Sequence, residues 1–230
     1  LFLDEIFYQG AQALKSVDSM KRYGFIPCNK SLQTWSQTIS VFEHPLFPEF
    51  VVKCYLSNAN HHPYKEYFGN YIKRIRNARF IASYFKKHSI KKILVPQKWL
   101  YFLPDSSNTF SLSNVRPTIL IAEKIDIVTG SHVNGLNLKL YKAIDYDMLS
   151  TLITFLYDMN GCEELMQNIP FTTTKKLAVI DTEHLGLTPH HFFKYVIPAL
   201  SKEKKQFALS LWKKLSQRER YVYTHHFLKK

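Results

Sequence analysis

The sequence predicts an α+β protein of two lobes, a small antiparallel sheet carrying one helix followed by a compact, mainly helical part. Three patterns predict it. β-favouring runs crowd residues 38–56 and 92–122, apolar residues recur at helical spacing between them over 68–85, and from Tyr146 onward the apolar period is mostly helical. A chain of 230 residues suffices for one large domain or two small lobes sharing a cleft. The expected divisions are a lead-in over 1–24, a sheet lobe with its helix over 25–125, and a helical lobe over 126–230.

The lead-in is mixed and partly helical, and it ends near Gly24. Thr38-Ile-Ser-Val-Phe42 and Phe50-Val-Val-Lys-Cys-Tyr-Leu56 then read as strands of a hairpin or meander, divided by the turn-prone His44-Pro45 and Pro48. Asn58 to Pro63 break the second run. Phe68, Tyr71, Ile72, Ile75, Ala78, Ala82 and Phe85 follow at i, i+3, i+4 and i+7 spacing, which predicts an amphipathic helix from about 64 to 87. Its other face holds Lys73, Arg74 and Arg76. Lys92 to Val95, Trp99 to Leu103 and Thr118 to Ala122 are further strand candidates, so the first lobe reads β-β-β-α-β-β.

Met148, Leu149, Leu152, Ile153, Leu156 and Met159 form the apolar face of the next helix, and Asn160-Gly161 supplies its stop. A loop crosses Asn168-Ile-Pro170 and Thr172 to Lys176, then enters the apolar run Leu177-Ala-Val-Ile180, with Asp181 at its end. Residues 190–228 return to helix, with Phe207, Ala208, Leu211, Trp212 and Leu215 on one face.

Composition excludes several classes. Hydrophobic residues make up 46% and aromatics 15%, too many for a disordered chain. The three cysteines, Cys28, Cys54 and Cys162, lack CxxC spacing and suggest neither a disulfide framework nor a zinc site. Reduced thiols favour an intracellular setting, either the cytoplasm or, for a secreted effector, its destination. His61-His62, His190-His191 and His225-His226 are adjacent pairs, whereas a helical zinc site wants i, i+4 spacing. No run approaches 18 apolar residues, so no transmembrane segment is expected, and the first residues lack the pattern of a signal peptide.

A net charge of +13 attracts anions: ATP, nucleic acid, acidic protein or an anionic lipid surface. A solvated basic face is the simpler account, because charge clusters usually face water. Tyr and Trp interleaved with basic residues, as in Lys98-Trp-Leu-Tyr101 and Arg220-Tyr-Val-Tyr223, fit base stacking beside phosphate contacts. Core aromatics beside surface lysines explain them more simply.

The order of elements, together with Asn168 and Asp181 separated by 13 positions, resembles the protein-kinase-like superfamily, in which those are the catalytic-loop Asn and the metal-binding Asp. Val179-Ile-Asp-Thr-Glu183 departs from Asp-Phe-Gly and is similar to the Ile-Asp-x-Glu of aminoglycoside-phosphotransferase-like and other atypical members. The resemblance implies ATP with Mg²⁺ or Mn²⁺ as cofactors, Asn168 and Asp181 as metal ligands, and Glu183 as an auxiliary ligand or a surface carboxylate. Phe50-Val-Val-Lys53 resembles the strand whose lysine bridges the phosphates to a helix glutamate, and strand alternation puts Val52 and Cys54 opposite Lys53. The candidate glutamate is Glu66, the one acid in the helix, near its start and equally suited to the helix dipole. Glu123 looks like the hinge position that meets the adenine.

Two departures bear on transfer. No glycine lies between Gly24 and Gly69, so the Gly-rich phosphate loop is missing. The position five before Asn168 is Glu163, in place of the catalytic Asp, with a carboxylate one methylene further out, and Asp158 is a second candidate base with worse spacing. Only residues 182–230 follow Asp181, without Ala-Pro-Glu, which argues against a conventional activation segment. The implied function is a diverged kinase-like protein binding ATP and a divalent metal between its lobes, with transfer to an unknown hydroxyl acceptor as one reading. The alternatives are a pseudokinase holding a protein partner and a basic nucleic-acid-binding protein. In the first two readings, Lys53, Asn168 and Asp181 converge on one crevice.

Overall fold

The computed structural model describes residues 2–7, 10–28, 39–56, 63–104, 118–128, 136–161, 165–183 and 192–227. The order of elements is the α+β one the sequence predicts: three strands, a long helix and further strands, then mainly helices. The chain divides into two compact units, one of residues 1–80 with 96–124 and the other of residues 81–95 with 125–230.

The first unit is built on a five-stranded antiparallel sheet in the order β1-β2-β3-β6-β5. Its strands are β1 (Ile26–Pro27), β2 (Ser40–Glu43), β3 (Phe50–Cys54), β5 (Lys98–Phe102) and β6 (Thr118–Glu123). β3 is central, with Val41 of β2 on one side of Lys53 and Leu120 of β6 on the other. One face of the sheet carries Phe42, Val52, Cys54 and Ile119, all fully buried. They pack with Phe7, Leu14, Met20 and Phe25, so the N-terminal segment is part of the core. That segment consists of α1 (Phe2–Ile6), a 3-10 turn over Gly10–Lys15 and α2 (Val17–Arg22), which Ser16 caps by accepting from the Ser19 N–H at 3.0 Å. Each buried Phe here contributes roughly 2–3 kcal/mol of transfer free energy. On the opposite face Leu120 and Tyr55 pack with Tyr71 and Ile75 of α3 (Pro63–Lys87).

In the second unit, β4 (Ile93–Leu94) does not extend the first sheet but pairs in parallel with β7 (Leu177–Ala178). A parallel partner 84 positions away leaves no local turn signal, which is why sequence reading assigns this strand to the first lobe. The core lies around α5 (Tyr146–Asp158), whose Leu149, Leu152, Ile153 and Phe155 are fully buried, and α7 (Lys202–Phe227) adds Ala208, Leu211, Trp212 and Leu215 to it. α5 begins where Asp145 accepts from the Met148 N–H at 2.6 Å. It ends in a Schellman motif: Gly161 N–H donates to Leu156 at 2.7 Å and Asn160 N–H to Tyr157 at 3.0 Å, with Asn160 left-handed at φ 55°. Among the described residues no helix is long and apolar enough to cross a membrane.

Candidate functional site

Lys53 is 8% exposed, held in the middle of the sheet with ladder partners on both sides. Because cross-strand partners share a face, Lys53 lies on the side covered by α3, along with Leu120, Glu43 and Lys98. The Tyr71 hydroxyl of α3 accepts from the Tyr55 N–H at 3.1 Å, just beyond β3, and ties the helix to the strand. The charges near Lys53 are mixed. Glu43 is paired with Lys124 at 2.8 Å, Lys98 is 4% exposed, and α3 contributes Arg74, 3% exposed, on its buried side. Glu66 lies in the first turn of α3, and its side chain is outside the described residues.

Cys28, on the same face beyond β1, donates to Glu43 at 3.5 Å. Partial burial of its sulfur and the negative charge of Glu43 push this thiol up to about 12. Burial alone raises Cys54 further still. Neither thiol is a nucleophile at neutral pH.

The hinge candidate Glu123 is a brace. Its carboxylate accepts from the Gln97 N–H at 2.8 Å, and its own N–H donates to the Gln97 carbonyl at 3.0 Å. The two contacts lock the end of β6 to the start of β5.

In the second unit, a single helical turn, α6 (Leu165–Asn168), precedes an antiparallel ladder that the sequence places only as a loop and a strand. Ile180 N–H donates to the Asn168 carbonyl at 2.9 Å, Ala178 N–H to Pro170 at 2.9 Å, and Thr172 N–H to Lys176 at 2.7 Å. The ladder turns at Lys175, with φ 59°, where the Thr172 hydroxyl accepts from the Lys176 N–H at 3.0 Å. Asn168 is therefore opposite Ile180 and one residue out of register with Asp181. Cross-strand Cα spacings of roughly 5.5 Å and a further 3.8 Å along the chain put their Cα atoms about 6–7 Å apart. A one-residue offset turns side chains to opposite faces in a regular ladder, but Asn168 ends α6 and Asp181 lies past the end of the strand at Ala178, so neither is bound to that alternation.

The ladder is held on both sides. β4 receives Leu177 N–H on the Lys92 carbonyl at 3.0 Å and Val179 N–H on the Leu94 carbonyl at 2.8 Å. On the other edge Val128 N–H donates to Phe171 at 2.8 Å and Thr173 N–H to Asp126 at 2.9 Å. Asn168 is 7% exposed, Thr182 fully buried and Glu183 8% exposed. The Asp181 carboxylate is oriented by its own turn, accepting from the Glu183 N–H at 3.1 Å. Asn168, Asp181 and Glu183 carry hard oxygen donors of the kind Mg²⁺ and Mn²⁺ take.

The ladder brings the backbones of Asn168 and Asp181 close. Lys53, Glu66 and Glu123 belong to the first unit, and Glu163 lies outside the described residues. Asp158 is engaged elsewhere: it accepts from the Tyr84 hydroxyl at 2.5 Å, which together with burial pushes that tyrosine well above its ordinary value. Sequence reasoning missed Asn137 and Tyr141 of α4 (Leu136–Ala143), which grip the strand after Asn168. Their i, i+4 spacing in an otherwise apolar and basic stretch was the available signal.

Neither a protein-family model nor a curated protein matches this sequence. Among solved structures, the apoenzyme of macrolide 2'-phosphotransferase MphH from Brachybacterium faecium is similar over 88% of this chain and 83% of that chain, with 10% sequence identity and a TM-score of 0.39. A likeness that distant decides nothing about chemistry, so the site is read from its own residues.

Proposed function

We propose that this chain is a diverged member of the kinase-like superfamily that binds ATP with Mg²⁺ or Mn²⁺. The observation that supports the reading is the hydrogen bond from the Ile180 N–H to the Asn168 carbonyl, which brings the Asn168 backbone close to that of Asp181 at the end of a braced ladder. In this reading Asn168 and Asp181 hold the ion, and Lys53 supplies an ammonium to the phosphates. A bound Mg²⁺ would neutralise the charge that builds up on the phosphoryl oxygens. The chain's own residues do the rest. Burial of Lys53 in the central strand fixes its stem, and the turn at Asp181 aims the carboxylate. Glu163 would accept the proton of a hydroxyl acceptor if transfer occurs.

A second reading, a pseudokinase that binds nucleotide or a protein partner without transfer, is favoured by the sequence itself. No glycine lies between Gly24 and Gly69, and Glu163 stands where the catalytic aspartate belongs. Titrating ATP and Mg²⁺ into the chain by calorimetry tests both. Metal-dependent binding that Asp181→Ala abolishes supports the site, and unchanged affinity in that variant rejects it. Labelled ATP offered with hydroxyl acceptors then separates the two readings: turnover marks a phosphotransferase, binding without turnover a pseudokinase.

A further inference from the structure

We propose that α4 sets the position of Asn168, making Asn137 and Tyr141 positioning residues of the metal site; this rests on the reading of Asn168 and Asp181 given above. In the ladder the Asn168 and Pro170 carbonyls accept from the strand 176–180 and the Thr172 N–H donates to it, so the Ile169 carbonyl and the Phe171 N–H point to the opposite edge. No strand of the described residues takes the Ile169 carbonyl or the Phe171 N–H, and α4 side chains do so instead. The Tyr141 hydroxyl donates to the Ile169 carbonyl at 2.6 Å. Asn137 Oδ1 accepts from the Phe171 N–H at 2.9 Å, while its Nδ2 donates to the Val128 carbonyl at 2.9 Å.

The grip is rigid for two reasons. Tyr141 is fully buried, its ring set edge-on against Phe171 at 5.1 Å and 76°, so the hydroxyl has nowhere else to go. Asn137 uses both ends of its amide, which fixes the flip of the group and joins the strand 126–128 to the ladder. Ile169 is the residue next to Asn168. Freeing its carbonyl loosens the Ile169–Pro170 peptide and with it the backbone that carries Asn168, and a displacement of about 1 Å is enough to cost on the order of 10²-fold in a reactive geometry.

The test uses the full chain with Tyr141→Phe, which removes the hydroxyl and keeps the ring, and with Asn137→Ala. Two readouts are taken, amide exchange of Ile180 by NMR without metal and Mn²⁺ affinity by calorimetry in the presence of ATP. Losing one buried hydrogen bond should speed Ile180 exchange about tenfold in either variant. Exchange at Val52 and Lys53 should stay unchanged, and Mn²⁺ affinity should fall several-fold. Unchanged Ile180 exchange and Mn²⁺ affinity overturn the proposal. So does faster exchange at every amide together, which marks a general structural role. A wild-type chain that binds no Mn²⁺ overturns the metal reading, and the exchange measurement then decides alone whether α4 fixes Asn168.

Discussion

Replacing Gly24 by Ala should destabilise the unit that carries Lys53, and the size of the loss follows from the geometry. Gly24 has φ +83°, and a Cβ built there lies 2.9 Å from Nε2 and 3.5 Å from Cδ2 of His44. That imidazole cannot retreat. It bonds to the Tyr23 carbonyl at 3.1 Å, accepts from the Leu46 N–H at 3.2 Å, and stacks on Phe47 with ring centroids 4.8 Å apart at 10°. Because Nδ1 is the acceptor, Nε2 carries the proton and donates to Tyr23. A left-handed conformation costs an L-residue roughly 1–2 kcal/mol, and forcing a methyl against a fixed ring adds roughly 1 kcal/mol or more. The smaller entropy of the unfolded Ala chain returns about 0.4–1 kcal/mol, leaving a net loss of about 2 kcal/mol. For a chain of this size that is a fall in Tm of about 4–8 °C. Circular dichroism on heating measures it. Gly69→Ala is the control, since Gly69 lies within α3, is exposed, and has nothing within 4 Å of the added Cβ. There the same change should stabilise by about 0.5–1 kcal/mol. Equal effects at the two positions would refute the argument.

Asp145→Ala removes the cap of α5 and should cost about 1 kcal/mol in denaturant unfolding, with Asp145→Asn retaining most of it. In a Cys162→Ser background, native Cys28 and Cys54 should alkylate slowly at pH 8, and Glu43→Gln should speed labelling of Cys28 by removing the adjacent negative charge. The Cys28 thiol also predicts a sign for pH dependence. Raised to about 12 when folded, it keeps its proton while an unfolded thiol loses it from about 9, so stability is full below pH 9 and declines as pH rises from 9 toward 12. Cys28→Ser should flatten that decline, as pH-dependent unfolding would show.

Much of the fold could be read in advance where signals are local. The α3 period, the apolar face of α5 with its Asn160-Gly161 stop and the β2–β3 hairpin each have their determinants within a few residues of one another. What escaped is non-local. Ile93 and Leu94 look like any short strand, and nothing in them names a parallel partner near Leu177. Phe7, Leu14 and Met20 enter the core from short helices and a 3-10 turn, which carry no 3.6-residue period to detect. Of the candidate site, the backbone proximity of Asn168 and Asp181 was legible because one turn and one short strand separate them. The glutamate expected to partner Lys53 is Glu66, whose side chain lies outside the described residues.

The central claim is that the Asn168 carboxamide and the Asp181 carboxylate share one divalent ion. Paramagnetic broadening by Mn²⁺, added well below one equivalent in the presence of ATP, tests it most directly. The account predicts that the Asn168 side-chain amide and the Asp181 and Thr182 N–H resonances vanish first, while those of α7 persist, and that Asp181→Ala restores them. Broadening spread evenly over the basic surface, or centred away from Asn168, would contradict it.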